Sequence, residues 1–213
     1  MIKIGYIKEI SRISVMKTIF YNFFSSKVKR NKGYIIVYKG VSLKIDRNAK
    51  IEISNGVFLL GFGQTSFSRV HSLIRLNEGS KLSVSGRMII EYGADILLKR
   101  NAVLEFGDNS YINCRCFIRC HEHIAFGKEV LISNGLNLRD SDGHSINGRI
   151  GMKPVMIMDH VWIGTNVTIL KGVCISSGVM IGANSLVTKS IPEKCLAYGV
   201  PAKVNKENIN WEY

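Results

Sequence analysis

The residues best suited to proton chemistry in this chain are Asp140-Ser141-Asp142-Gly143-His144. A general base working near neutral pH needs an imidazole held in one tautomer by a hydrogen-bonded partner and reachable by substrate. His144 meets that description, with Asp140, Asp142 or a backbone carbonyl as the orienting acceptor. A histidine in a polar stretch is more often simply solvated, so its setting has to decide. His121-Glu122-His123, with His144 and His160, opens a second chemistry, because catalytic zinc takes three protein ligands and keeps a fourth position open. In an extended strand His121 and His123 would share one face. The five cysteines, Cys114, Cys116, Cys120, Cys174 and Cys195, contain no C-x-x-C pair. Cys174 and Cys195 have no adjacent histidine or basic cluster to depress their pKa and read as structural.

What positions these residues follows from a period of six. Ile157, Ile163, Ile169, Ile175, Ile181 and Val187 recur at that spacing, with Val161, Val167, Val173, Val179 and Ser185 in the fifth place of successive hexads. Neither a helical nor a two-residue period gives this register, whereas a parallel β-helix does, since each flat side needs one large and one small inward residue before the corner. Gly164, Gly172, Gly178 and Gly182 are expected to supply the corner conformations. The beat returns at Phe106, Ile112 and Ile118, and after a slip of two residues near Cys120 at Phe126, Ile132 and Leu138. Ile45, Ile51 and Val57, then Leu76, Leu82 and Met88, are fainter echoes. The division expected is a basic amphipathic helical extension over 1–35, a β-helix over 36–190 and a C-terminal tail over 191–213. Residues 139–156 form a protruding loop insertion in the repeat, and loops on a rigid scaffold often carry function.

Charge adds a constraint. The formal net charge is +13, and the first fifty residues hold twelve Lys or Arg against Glu9 and Asp46 alone. Such asymmetry points to an anionic partner: nucleic acid, an anionic membrane surface or an acidic substrate. No nucleic-acid-binding signature supports the first. No apolar run reaches the roughly 20 residues that span a bilayer, so membrane attachment would be peripheral. The cysteine usage and the lack of a signal-peptide pattern fit a cytoplasmic protein, in peripheral contact with the inner membrane face if the basic end docks there. In the extension, Ile7, Ile10, Ile13, Ile19, Phe20, Phe23 and Phe24 interleave with Lys8, Arg12 and Lys17 at helical spacing. That helix would either pack on the first coil to protect sheet ends or lie on a membrane surface.

From Asp140 to Lys206 the chain carries Asp-Ser-Asp-Gly-His (140–144), Lys-Pro-Val (153–155), Val-Trp-Ile-Gly-Thr (161–165), Ile-Gly-Ala-Asn-Ser-Leu-Val-Thr-Lys (181–189), Ile-Pro (191–192) and Tyr-Gly-Val-Pro-Ala-Lys-Val (198–204). In these motifs it resembles the hexapeptide-repeat acetyltransferase superfamily of galactoside, maltose and serine acetyltransferases, in particular the branch acting on capsular and lipopolysaccharide sugars. The resemblance implies an all-β, single-stranded left-handed parallel β-helix assembled as a homotrimer, with active sites between neighbouring subunits and acetyl-CoA lying along the coils. It implies His144 as base, assisted by Asp142 or Asp140. Trp162 would line the cleft, Gly164, Thr165 and Ala183 would border the pantetheine arm, and Thr188, Lys189, Pro201, Lys203 and Lys206 would lie near the nucleotide and its phosphates. Family members often carry arginine at the positions of Lys203 and Lys206; lysine keeps the charge without the bidentate fork. The expected acceptor is a sugar hydroxyl of a cell-surface polysaccharide or its precursor, acetylated directly in a ternary complex.

Rival readings follow from the same residues. An amine on a nucleotide-linked sugar would make the protein an N-acetyltransferase. The histidines suggest a zinc protein similar to γ-class carbonic anhydrases, against which the motifs after residue 150 favour CoA and no metal. A β-helix can also serve as a scaffold whose basic end docks on a polyanion.

Overall fold

The computed structural model describes residues 10–63 and 70–212, with most strands gathered into three sheets that are parallel except for the last strand, Ala202–Lys206, which runs antiparallel to its neighbour. The first sheet has seven strands, from Val28–Arg30 to Cys174–Ile175, and the third seven, from Val41–Ile45 to Leu186–Val187. The second has nine, from Tyr34–Val37 to Ala202–Lys206. The chain visits the sheets in rotation. Val103–Phe106, Ser110–Ile112 and Phe117–Cys120 make one coil, and the next stacks on it in the register Leu104↔Ile124, Tyr111↔Leu131 and Phe117↔Asn137. The result is the three-faced parallel β-helix that the six-residue beat predicts.

Alternation within each strand explains the beat: two residues of every flat side, spaced two apart, point inward at the same heights on each face. Ile157, Ile163, Ile169, Ile175, Ile181 and Val187 are all buried, as are the fifth-place residues Val161, Val167, Val173, Val179 and Ser185. Each large aliphatic side chain contributes about 1.5–3 kcal/mol by leaving water, so the column is the main source of stability. The slip near Cys120 falls at the corner 121–122, between Phe117–Cys120 and His123–Phe126.

Four expectations need adjustment. Val57 is half-buried and not inward; Phe58 and Leu60 fill the core, because Tyr34↔Val57 and Ile35↔Phe58 fix the alternation one residue later. The corner glycines divide into two kinds. Gly172 and Gly178 adopt φ of 75° and 72°, whereas Gly164 and Gly182 are required by close approach between coils. A Cβ on Gly164 would stand 2.7 Å from the Ala183 amide nitrogen, and one on Gly182 2.7 Å from the Tyr198 Cβ. The insertion after residue 139, expected as a protruding loop, takes the form of an antiparallel hairpin, Ser141–Ile146 with Arg149–Met152. Finally, Val28–Arg30 pairs with Lys50–Ile53 within the segment assigned to the helical extension.

Ahead of that strand, an α-helix over Val15–Ile19 runs into a π-turn over Phe20–Phe24. It covers the free edge of the second sheet: Asn22 Nδ2 donates to the Ile35 carbonyl at 2.6 Å, and the Ile35 amide donates to Asn22 Oδ1 at 3.1 Å. Thr18 Oγ1 accepts from the Val37 amide at 3.1 Å. Capping by side chains in this way blunts an edge that would otherwise template further pairing. Ile7 and Lys8 lie outside the described residues.

Candidate functional site

The hairpin that carries His144 leaves the prism at the edge between the third and first faces, after Asn137–Arg139 and before Val155–Ile157. Asn147 and Gly148, at φ of 50° and 77°, form its tip. Asn-Gly is the dipeptide that suits a turn with two positive φ values, and it is a signal in the sequence that marks the insertion as a hairpin. His144 is exposed and makes no hydrogen bond or ion pair among the described residues. Its ring is free to meet a substrate.

Neither aspartate orients it. Asp140 is fully buried, 0% exposed, with Oδ1 accepting the His121 amide at 2.7 Å and Oδ2 those of Glu122 and His123 at 2.8 and 2.9 Å. Its carboxyl group holds the corner where the repeat slips by two residues. Asp142 is paired with the Lys171 ammonium, which ties the base of the hairpin to the next coil. Beside this pair a groove of about 360 Å³ is bordered by Arg139, Ser141, Leu170 and Thr188. Both aspartates are thus engaged at the root of the hairpin, and neither contacts His144 within this chain.

The remaining expected residues lie elsewhere on the prism. Trp162 projects from the second face at 40% exposure, in an outward row that runs Tyr111, Leu131, Trp162, Met180 and Leu196. Gly164, Thr165 and Ala183 follow at the corner between second and third faces, joined by a hydrogen bond from the Asn184 amide to the Thr165 carbonyl at 2.8 Å. Lys203 and Lys206 extend from the strand Ala202–Lys206, opposite Tyr198 and Leu196. They are exposed, as are Pro201, Thr188 and Lys189. None of the three lysines forms an ion pair among the described residues, which suits them to an anionic ligand. Thr188 and Lys189 sit after the third-face strand Leu186–Val187, toward the edge from which the hairpin leaves. An edge of a three-sided prism faces away from the side it does not border. Within one chain, then, His144 and Trp162 are not brought together.

Trp211 carries no signal in the sequence, since its place depends on how the tail returns. Its ring stacks on His160 with centroids 4.0 Å apart and leans on Trp162 at 6.0 Å. Together with Tyr111, Asn113, Leu131 and Ser133, the two tryptophans border a groove of about 340 Å³. His160 is engaged through both ring nitrogens, Nε2 donating to the Trp211 carbonyl at 3.0 Å and Nδ1 lying 3.3 Å from Glu129. His123 Nε2 is 2.9 Å from Glu105. His121 is not a strand residue with His123 but sits at the corner, its pKa lowered mainly by desolvation. Among the described residues no group of three or more His, Cys, Asp or Glu is placed to hold a metal ion.

Comparison with known proteins agrees with this architecture. Residues 154–189 match the family described as bacterial transferase hexapeptide (six repeats). The chain is 33% identical over 144 residues to the polysialic acid O-acetyltransferase of Escherichia coli O1:K1 / APEC, covering 65% of this chain and 44% of that one. It is 34% identical over 128 residues to the putative lipopolysaccharide biosynthesis O-acetyl transferase WbbJ of Escherichia coli K12, covering 52% and 65%. A third relative, the galactoside O-acetyltransferase of Escherichia coli K12, is 33% identical over 135 residues, covering 61% and 62%. The chain thus spans less than two thirds of the length of these relatives. Among solved structures, the polySia-specific acetyltransferase NeuO shares the fold with a TM-score of 0.58 and 22% identity, over 89% of this chain and 84% of that one.

Proposed function

We propose that this chain, whose residues 154–189 match the bacterial transferase hexapeptide family, is an acetyl-CoA-dependent O-acetyltransferase acting on a sugar hydroxyl of a cell-surface polysaccharide or its precursor. The observation that carries this reading is the hairpin Ser141–Met152, which lifts an unengaged His144 off an otherwise regular prism. The names of the relatives, polysialic acid and lipopolysaccharide acetyltransferases, support the acceptor class.

The chemistry asks three things of the chain. A sugar hydroxyl attacks a thioester carbonyl effectively only as its proton leaves, and His144 accepts that proton through an exposed ring nitrogen. The C–O bond forms, the C–S bond breaks, and the imidazolium returns its proton to the departing thiolate. Lys203 and Lys206 hold the phosphates as point charges. Close packing at Gly164 against Ala183 keeps that corner flat enough for an extended pantetheine arm to lie along it.

Separation of His144 from Trp162 within one chain supports a site shared between copies in a closed cyclic assembly, the trimer of the resemblance. One subunit would supply the hairpin, its neighbour the second face. The test is complementation. His144→Ala and Trp162→Ala proteins, each inactive alone, are expected to regain thiol release from acetyl-CoA when co-assembled. A mixed assembly as inactive as its parents would sink the shared site.

A further inference from the structure

We propose that the N-terminal helix and π-turn, with the basic side chains around them, dock this protein on the surface of an anionic lipid bilayer. The segment Val15–Phe24 is amphipathic in the reverse of the usual sense. Its polar side chains face the protein: Asn22 is buried, Thr18 caps the Val37 amide, and the Tyr21 hydroxyl donates to the Leu43 carbonyl at 3.1 Å. Its large apolar residues face outward, with Met16 85%, Phe23 67% and Phe24 74% exposed, alongside Ile19 and Phe20. Sealing the sheet edge accounts for Asn22 and Thr18 but gives no use to the apolar residues on the opposite, exposed side. Contiguous exposed apolar surface of this kind marks an interaction site.

Charge identifies the partner. Between Ile10 and Ile45 there are eight Lys or Arg and no Asp or Glu. Several border the apolar patch directly. The Arg30 guanidinium lies over the Phe23 ring at 5.1 Å. Lys27 and Lys44 rim a groove of about 390 Å³ whose walls include Phe20, Tyr21, Phe24 and Leu43. Aromatic and aliphatic side chains ringed by lysine and arginine match the boundary between headgroups and acyl chains of an anionic bilayer. A second copy of the same patch is the poorer fit, because a two-fold contact would set like charges against each other. The surface stands on the first coils, while the hairpin with His144 leaves four coils farther along. Docking there leaves the candidate site facing the solution, and the inference does not depend on the proposed activity.

Co-sedimentation with vesicles tests it, using the full chain. Phosphatidylcholine vesicles containing phosphatidylglycerol should pull the protein down, and pure phosphatidylcholine should not. Added salt should release it. Phe20→Ser/Phe23→Ser/Phe24→Ser, at exposed positions, should abolish sedimentation while leaving the melting temperature unchanged. Lys27→Gln/Arg30→Gln/Lys44→Gln should weaken it roughly a hundredfold at low salt. Failure to sediment with phosphatidylglycerol vesicles would overturn the proposal, as would equal sedimentation by the triple-serine protein. It would also fall if the triple-serine change altered the oligomeric state. So would a finding that heparin, used as an acidic polysaccharide, is bound through the three basic residues while vesicles are not.

Discussion

Asp140 offers a sharp test of how the site is built. Its carboxyl group accepts three backbone hydrogen bonds at 2.7, 2.8 and 2.9 Å and is shut off from solvent. Asp140→Ala removes both acceptor oxygens, and with them all three hydrogen bonds, and leaves amides at a tight corner with only partial access to water. A hydrogen bond to a charged acceptor contributes about 1.5–3 kcal/mol. Since water reaches part of this corner, the expected loss is about 3–5 kcal/mol, a large share of the roughly 5–15 kcal/mol that holds such a domain together. Asp140→Asn keeps the shape and one oxygen but turns an amide donor toward a backbone donor, so it should lose about half as much. Urea unfolding at neutral pH measures both. The reasoning fails if the two variants stay within about 0.5 kcal/mol of the parent protein. It also fails if Asp140→Asn abolishes turnover at unchanged stability, since that would make Asp140 the partner that orients the base.

Three further outcomes are expected. Gly164→Val should be strongly destabilising, because its Cβ would meet backbone at 2.7 Å with no flexible side chain to yield, and thermal melting checks it. His121 has a folded pKa below its ordinary value because burial desolvates it. On acidification the unfolded chain takes up that proton first, so stability should decline as pH falls through the ordinary histidine value of 6.5, and His121→Gln should flatten that decline. Thiol labelling at mild alkaline pH should modify Cys174, which is half-exposed, while Cys116, buried and pushed up to about 12, and Cys120, also raised by burial, should react only in denaturant.

The β-helix is legible in the sequence because every coil demands an inward aliphatic at the same height, so one constraint is written many times over. The echo at Val57 misleads because alternation lets a one-residue error pass unnoticed until the pairing partner, Tyr34, is known. His144 stands out by its setting in the insertion. The roles of Asp140 and Asp142 do not, since their partners, the 121–123 corner and Lys171, lie on neighbouring coils that sequence order does not bring together. Trp211 is hidden for the same reason: only the return of the tail sets it against His160 and Trp162. The N-terminal helix shows the limit of periodicity, which finds an apolar face without saying which way it points.

The central claim is tested most directly by thiol release from acetyl-CoA, measured across a panel of sugars, nucleotide sugars and acidic glycan fragments, for the parent protein and for His144→Ala. The account predicts turnover with a hydroxyl-bearing acceptor by the parent. It predicts loss of about 10²–10⁴-fold in kcat for the variant, with folding, assembly and CoA binding retained. Unchanged turnover in His144→Ala would contradict it.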